Sequence, residues 1–86
     1  MVLQFARLMG WAVFHPYDSR RSTAGFPDIV AVRRTRVLFV ELKSATGRLR
    51  AEQVVWATTL AAVGGAVEHH VWRPTTSWDT IQEVLR

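Results

Sequence analysis

The segment Val-Leu-Phe-Val-Glu-Leu-Lys at residues 37–43 constrains the fold of this chain more than any other stretch. Its β-branched and aromatic content suits a strand packed on both sides. Yet it closes on a carboxylate and an ammonium. Side chains alternate faces along a strand, so Glu41 and Lys43 point the same way, in line with Val37 and Phe39. One reading is an ion pair at a strand end. Burying charge requires compensation, which makes that pair an odd choice for stability alone. The other reading is a chemical site at the end of an apolar strand.

A second strand is expected at residues 28–32, joined to the first by a short basic turn at 33–36. If the two form a hairpin, the start of one lies across from the end of the other. Asp28 then approaches Glu41. Two close carboxylates repel unless a cation sits between them. Hard oxygen donors in that arrangement suit Mg²⁺ or Mn²⁺. Taken alone, Asp28 is better read as a turn residue after Pro27.

The remaining pattern surrounds this pair. Val2, Phe5, Ala6 and Met9 recur at helical spacing, and Gly10 is a stop signal. Residues 11–15 read as a short strand ended by Pro16. Residues 16–27 form a polar stretch, long for so small a chain, and such loops carry function. Ala51–Val63 is the clearest helix, closed by Gly64-Gly65. Val67–Trp72 reads as a strand, and Thr76 or Ser77 can cap a helix over Trp78–Leu85. The predicted order is αβββαβα, an α/β domain spanning residues 1–86. In the long helix Gln53, Trp56, Ala57 and Leu60 share one face. Gln53 is then a polar residue turned inward, needing partners. It can bond backbone, or a water at a metal.

Composition narrows the function classes. The 86 residues are 49% hydrophobic with four Trp and four Phe, enough for a core and too much for a disordered tail. The absence of cysteine excludes a disulfide-stapled module and a zinc-thiolate site. A net charge of +4 suits a polyanionic partner, or simply a solvated basic surface. No stretch reaches transmembrane length, and residues 1–14 lack the features of a signal peptide, so no membrane association and a cytoplasmic setting, bacterial or phage-infected, are expected.

The loop residues His15, Tyr17, Arg20 and Arg21 can grip phosphate and stack on bases, or remain solvated. Arg48 and Arg50 flank the start of the long helix, where anions bind well. Arg33, Arg34 and Arg36 are expected to be a solvated turn. His15, Asp18 and Ser19 crowd into one loop, unlike a catalytic triad. His69 and His70 are adjacent on a strand and cannot jointly chelate a metal.

With these residues in place, the chain resembles the VRR-NUC nucleases, the virus-type replication-repair branch of the PD-(D/E)xK superfamily. Gly25-Phe26-Pro27-Asp28 resembles the G-x-P-D signature, and Glu41-Leu42-Lys43 the E-x-K. Gly47-Arg48-Leu49, then Gln53 and Trp56, resemble the G-x-L and Q-x-x-W elements. Gly10-Trp11 and His15 to Arg20 are similar to the stand-alone phage and bacterial members. The resemblance implies a restriction-endonuclease-like αβββαβ core with a mixed central sheet and a C-terminal helix. It implies a divalent-metal site formed by Asp28, Glu41 and the backbone carbonyl of Leu42. Lys43 would orient water or stabilise developing charge, and Gln53 would hold the water or a metal ligand. The implied activity is endonucleolytic cleavage of structured DNA by a homodimer, with Holliday junctions as the model substrate. The family also carries an acidic residue near the start of the first helix. Gln4 is the only polar candidate there, which leaves open a non-catalytic nucleic-acid-binding module on a decayed nuclease scaffold. A structural partner in a larger replication complex is a third reading.

Overall fold

A computed structural model of the chain describes residues 1–15 and 23–86. The elements follow the predicted order: α1 (Val2–Leu8), β1 (Ala12–Phe14), β2 (Ile29–Arg33), β3 (Arg36–Leu42), α2 (Ala51–Val63), β4 (Val67–Trp72) and α3 (Trp78–Leu85). The strands form one sheet in the order β1-β2-β3-β4. The first two pairings are antiparallel and the third is parallel, so the sheet is mixed.

The hairpin is tighter than the sequence suggests. Arg33 pairs with Arg36, which leaves only Arg34 and Thr35 in the turn. Arg34 takes a φ of 55°, a left-handed value that side chains tolerate poorly. β3 therefore begins one residue early and ends at Leu42. Lys43 remains tied to the sheet, because its N–H donates to the Trp72 carbonyl at 3.0 Å.

The pleat sorts the sheet into two faces. Ile29 opposes Val40 and Ala31 opposes Leu38, and all four are buried. This face packs with Ala6, Trp11, Trp72, Ile81 and Leu85 into the main core. Phe39, on the opposite face, meets Phe26 edge-to-face, and Phe26 meets Trp56 of α2 in the same way. α1 and α3 thus cover one face while α2 serves the other.

The helix ends follow their local chemistry. Gly10, with φ 89°, closes α1, its N–H donating to Arg7 while that of Trp11 reaches back to Ala6. Ser77 caps α3 by accepting from the Asp79 N–H. Among the described residues, no helix is long and apolar enough to cross a membrane.

The basic turn departs from expectation. Only Arg34 is solvated. Arg33 is half-buried and donates to the carbonyls of Met9 (2.8 Å), Leu85 (3.1 Å) and Arg86 (2.7 Å). Its guanidinium lies 4.5 Å from the Trp11 ring centre, and Trp11 Nε1 donates to the same Leu85 carbonyl. The last carbonyls of a helix lack intrahelical partners, and Arg33 supplies the donors. Arg36 makes a two-pronged bond to Glu68 at 2.7 and 3.0 Å. Replacing Arg33 with Met should cost about 1–2 kcal/mol of stability through these lost bonds. A thermal melt should show a drop of several degrees, and an unchanged midpoint would contradict the docking of α3 described here.

Candidate active site

Hairpin register brings the two carboxylates together. Ile29 opposes Val40, so one further step along the ladder sets Asp28 beside Glu41. Asp28 Oδ2 accepts from the Leu42 N–H at 2.8 Å, which fixes the carboxylate against the end of β3.

The preceding residues explain why Asp28 sits there. Gly25 lies against the first turn of α2. A Cβ at that position would stand 2.4 Å from the Glu52 carbonyl carbon, and φ is +80°. Only glycine satisfies both conditions. Phe26 fills the gap between Phe39 and Trp56. Pro27 is fully buried. The Gly-Phe-Pro run is therefore a platform that joins α2 to the sheet just before Asp28.

Glu41 is 3% exposed and Gln53 is 6% exposed. Gln53 faces inward as its helical spacing predicts. Its Nε2 donates to Glu41 Oε1 at 2.8 Å, and its Oε1 accepts from the Arg50 N–H at 2.8 Å. The backbone reading of this amide holds, since it accepts at the helix start, and its other partner is Glu41 itself. Among the described residues, no buried side-chain polar atom lacks a partner.

The Glu41 carboxyl is pushed up to about 7, first by burial and then by the charge of Asp28 and a hydrogen bond with it, while the positive charges of Lys43 and Arg50 pull the other way. The repulsion between a buried carboxylate and a half-buried neighbour is relieved by a cation. The available donors are all oxygens, which fits a hard divalent ion. Among the described residues there is no cluster of three or more His, Cys, Asp or Glu. A metal here would draw on Asp28, Glu41, backbone and water.

The other candidates divide. Lys43 is half-buried beside the pair, and Arg50 acts on Glu41 by charge while its side chain stays exposed. Arg48 is exposed. His15 is half-buried just after β1. Tyr17, Arg20 and Arg21 lie outside the described residues, as do Asp18 and Ser19. His70 bonds Glu68 at 3.1 Å, on the face opposite His69, so the two imidazoles do not converge. Burial, then the charge of His70, holds His69 below the ordinary histidine range.

A mixed sheet with flanking helices and a carboxylate pair at the end of its hairpin is a restriction-endonuclease-like arrangement. The VRR-NUC domain family matches residues 5–71, and the chain belongs to that family. Among solved structures it is similar to Archaeoglobus fulgidus Hjc, a Holliday junction resolvase from an archaeal hyperthermophile, with 27% identity and a TM-score of 0.60. The similarity covers 90% of this chain and 66% of that one, so the chain spans just under two thirds of the resolvase. No curated protein matches.

Two measurements test the site's construction. Gly25→Ala should destabilise by about 2 kcal/mol or more, because it adds a backbone clash to a left-handed φ. Gly65→Ala, left-handed but in open space, should cost only about 1 kcal/mol in the same denaturant titration. The second concerns pH. A carboxyl raised in the folded state stabilises fully below its unfolded value and loses that contribution as pH rises through about 7. The metal-free protein should therefore melt several degrees lower at pH 8 than at pH 5, and Glu41→Gln should flatten the difference. An equal slope in both proteins would contradict the burial of a titrating Glu41.

Proposed function

We propose that this chain is a metal-dependent endonuclease that hydrolyses phosphodiester bonds in structured DNA. The observation that carries the reading is the close Asp28–Glu41 pair, with Glu41 buried and Lys43 beside it. Two adjacent carboxylates, one of them buried, are a poor way to stabilise a small domain, and they suit a divalent cation.

Asp28, Glu41 and the Leu42 carbonyl would hold Mg²⁺ or Mn²⁺. When bound, such an ion polarises a phosphate and lowers the pKa of water. Lys43 presents a positive charge to the phosphate oxygens, where negative charge grows during attack. Gln53 keeps Glu41 oriented from the helix side, so the carboxylate does not swing away when the site is empty. Arg48 and Arg50, at the entrance to α2, would meet a DNA backbone. His15 would add to that contact, and Tyr17, Arg20 and Arg21, which lie outside the described residues, are proposed for the same role from their side-chain chemistry.

Branched DNA is the favoured substrate, since the similar archaeal protein is a Holliday junction resolvase. Two symmetric cuts call for a two-fold homodimer, the simplest closed assembly. The whole of residues 1–86 would act as one domain, in the cytoplasm of a bacterium or a phage-infected cell.

A second reading is supported by Gln4. It is exposed on α1, where an acidic residue is expected from the family resemblance. A decayed nuclease that only binds nucleic acid would show this feature. Cleavage of a labelled four-way junction separates the two. With Mg²⁺ or Mn²⁺ the wild type should cut, and Asp28→Asn, Glu41→Gln and Lys43→Met should each lose about 100-fold or more while still binding the junction. Absence of cutting by wild type with every divalent ion would favour the binding module. Cutting in excess chelator would remove the metal from the mechanism.

A further inference from the structure

We propose that Arg73 is a positioning residue for this site, acting through the loop at residues 44–50. The proposal rests on the nuclease reading above for its catalytic consequence. Its geometry stands independently.

Arg73 follows the last residue of β4, next to the end of β3, because the strands are parallel and Leu42 pairs with Trp72. Its backbone N–H donates to Thr76 Oγ1 at 2.8 Å, which anchors it at the turn into α3. Its Nη1 donates to two loop carbonyls, Ser44 at 2.7 Å and Gly47 at 2.5 Å. Ser44 Oγ accepts from the Gly47 N–H at 2.9 Å, closing a small turn. Among the described residues, no backbone-to-backbone hydrogen bond involves residues 44–49. Among the described residues, the side-chain hydrogen bonds to residues 44–49 involve Ser44, within the loop, and Arg73, which ties it to the sheet.

The loop leads directly into the site. It begins after Lys43 and ends at Arg50, whose N–H is held by Gln53, whose amide in turn holds Glu41. An irregular loop with few internal bonds samples many conformations unless tied down. Arg73 removes that freedom between the two ends that carry Lys43 and Arg50. A guanidinium suits the task, since its fixed donors can serve two carbonyls without losing charge.

The test uses Arg73→Gln, Arg73→Lys and Gly47→Ala in the full chain. Gly47→Ala presses on the same turn from inside, as its Cβ would stand 2.6 Å from Ser44 Oγ. Amide hydrogen exchange is measured at Gly47 and Arg50, along with melting temperature and junction-cleavage kinetics. Arg73→Gln should raise exchange at those two amides about tenfold while the β2–β3 amides stay protected. It should lower kcat about tenfold with little change in KM. Arg73→Lys should recover part of both effects, added guanidinium should rescue the Gln variant, and Gly47→Ala should reproduce the loss. Unchanged exchange at Gly47 and Arg50 would overturn the proposal, as would faster exchange with unchanged kcat. If the wild type cuts nothing, the nuclease reading fails, and exchange alone then decides whether Arg73 holds the loop.

Discussion

The register of one hairpin governs this molecule. Because Arg33 pairs with Arg36 across a two-residue turn, Ile29 meets Val40, and the next step puts Asp28 beside Glu41. A slip by one residue would send either Ile29 and Ala31 or Leu38 and Val40 to the wrong face and separate the carboxylates at once. Core packing and site geometry are therefore specified by the same pairing. The main core, built on that face with α1 and α3, is what enforces it.

The opposite face shows how a charge is kept in a small domain. Glu41 is almost wholly buried, so its carboxyl must be partnered or protonated. Gln53 provides one partner from the first turn of α2, and Asp28 the other influence from just before β2. α2 is brought close by the missing side chain of Gly25 and held by the Phe39–Phe26–Trp56 contacts. The platform, the helix start and the strand end are thus one mechanical unit. The cost is an anionic pair whose repulsion a divalent cation would relieve.

Much of this was legible in the sequence because it depends on near neighbours. Strand alternation put Glu41 and Lys43 on one face, and helical spacing turned Gln53 inward with Trp56 and Leu60. Trp56 and Leu60 alone mark that inner face, since α2 is apolar on its outer side too, with Val54, Val55 and Val63 exposed. The failures involve long side chains with distant targets. Arg33 looked like part of a solvated turn, yet it reaches carbonyls at Met9, Leu85 and Arg86. Nothing local in the sequence marks Arg73 as a guanidinium that serves carbonyls at Ser44 and Gly47. Gly25 was visible as a motif glycine, but its reason, the backbone of Glu52, comes from another element.

The central claim is that Asp28 and Glu41 form a single cation-binding pair. It is tested most directly by following the carboxyl carbon resonance of Glu41 through a Mg²⁺ titration at neutral pH. The account predicts a saturable shift with one ion per chain, absent in Asp28→Asn. A Glu41 resonance that titrates like an ordinary exposed carboxylate and ignores Mg²⁺ would contradict it.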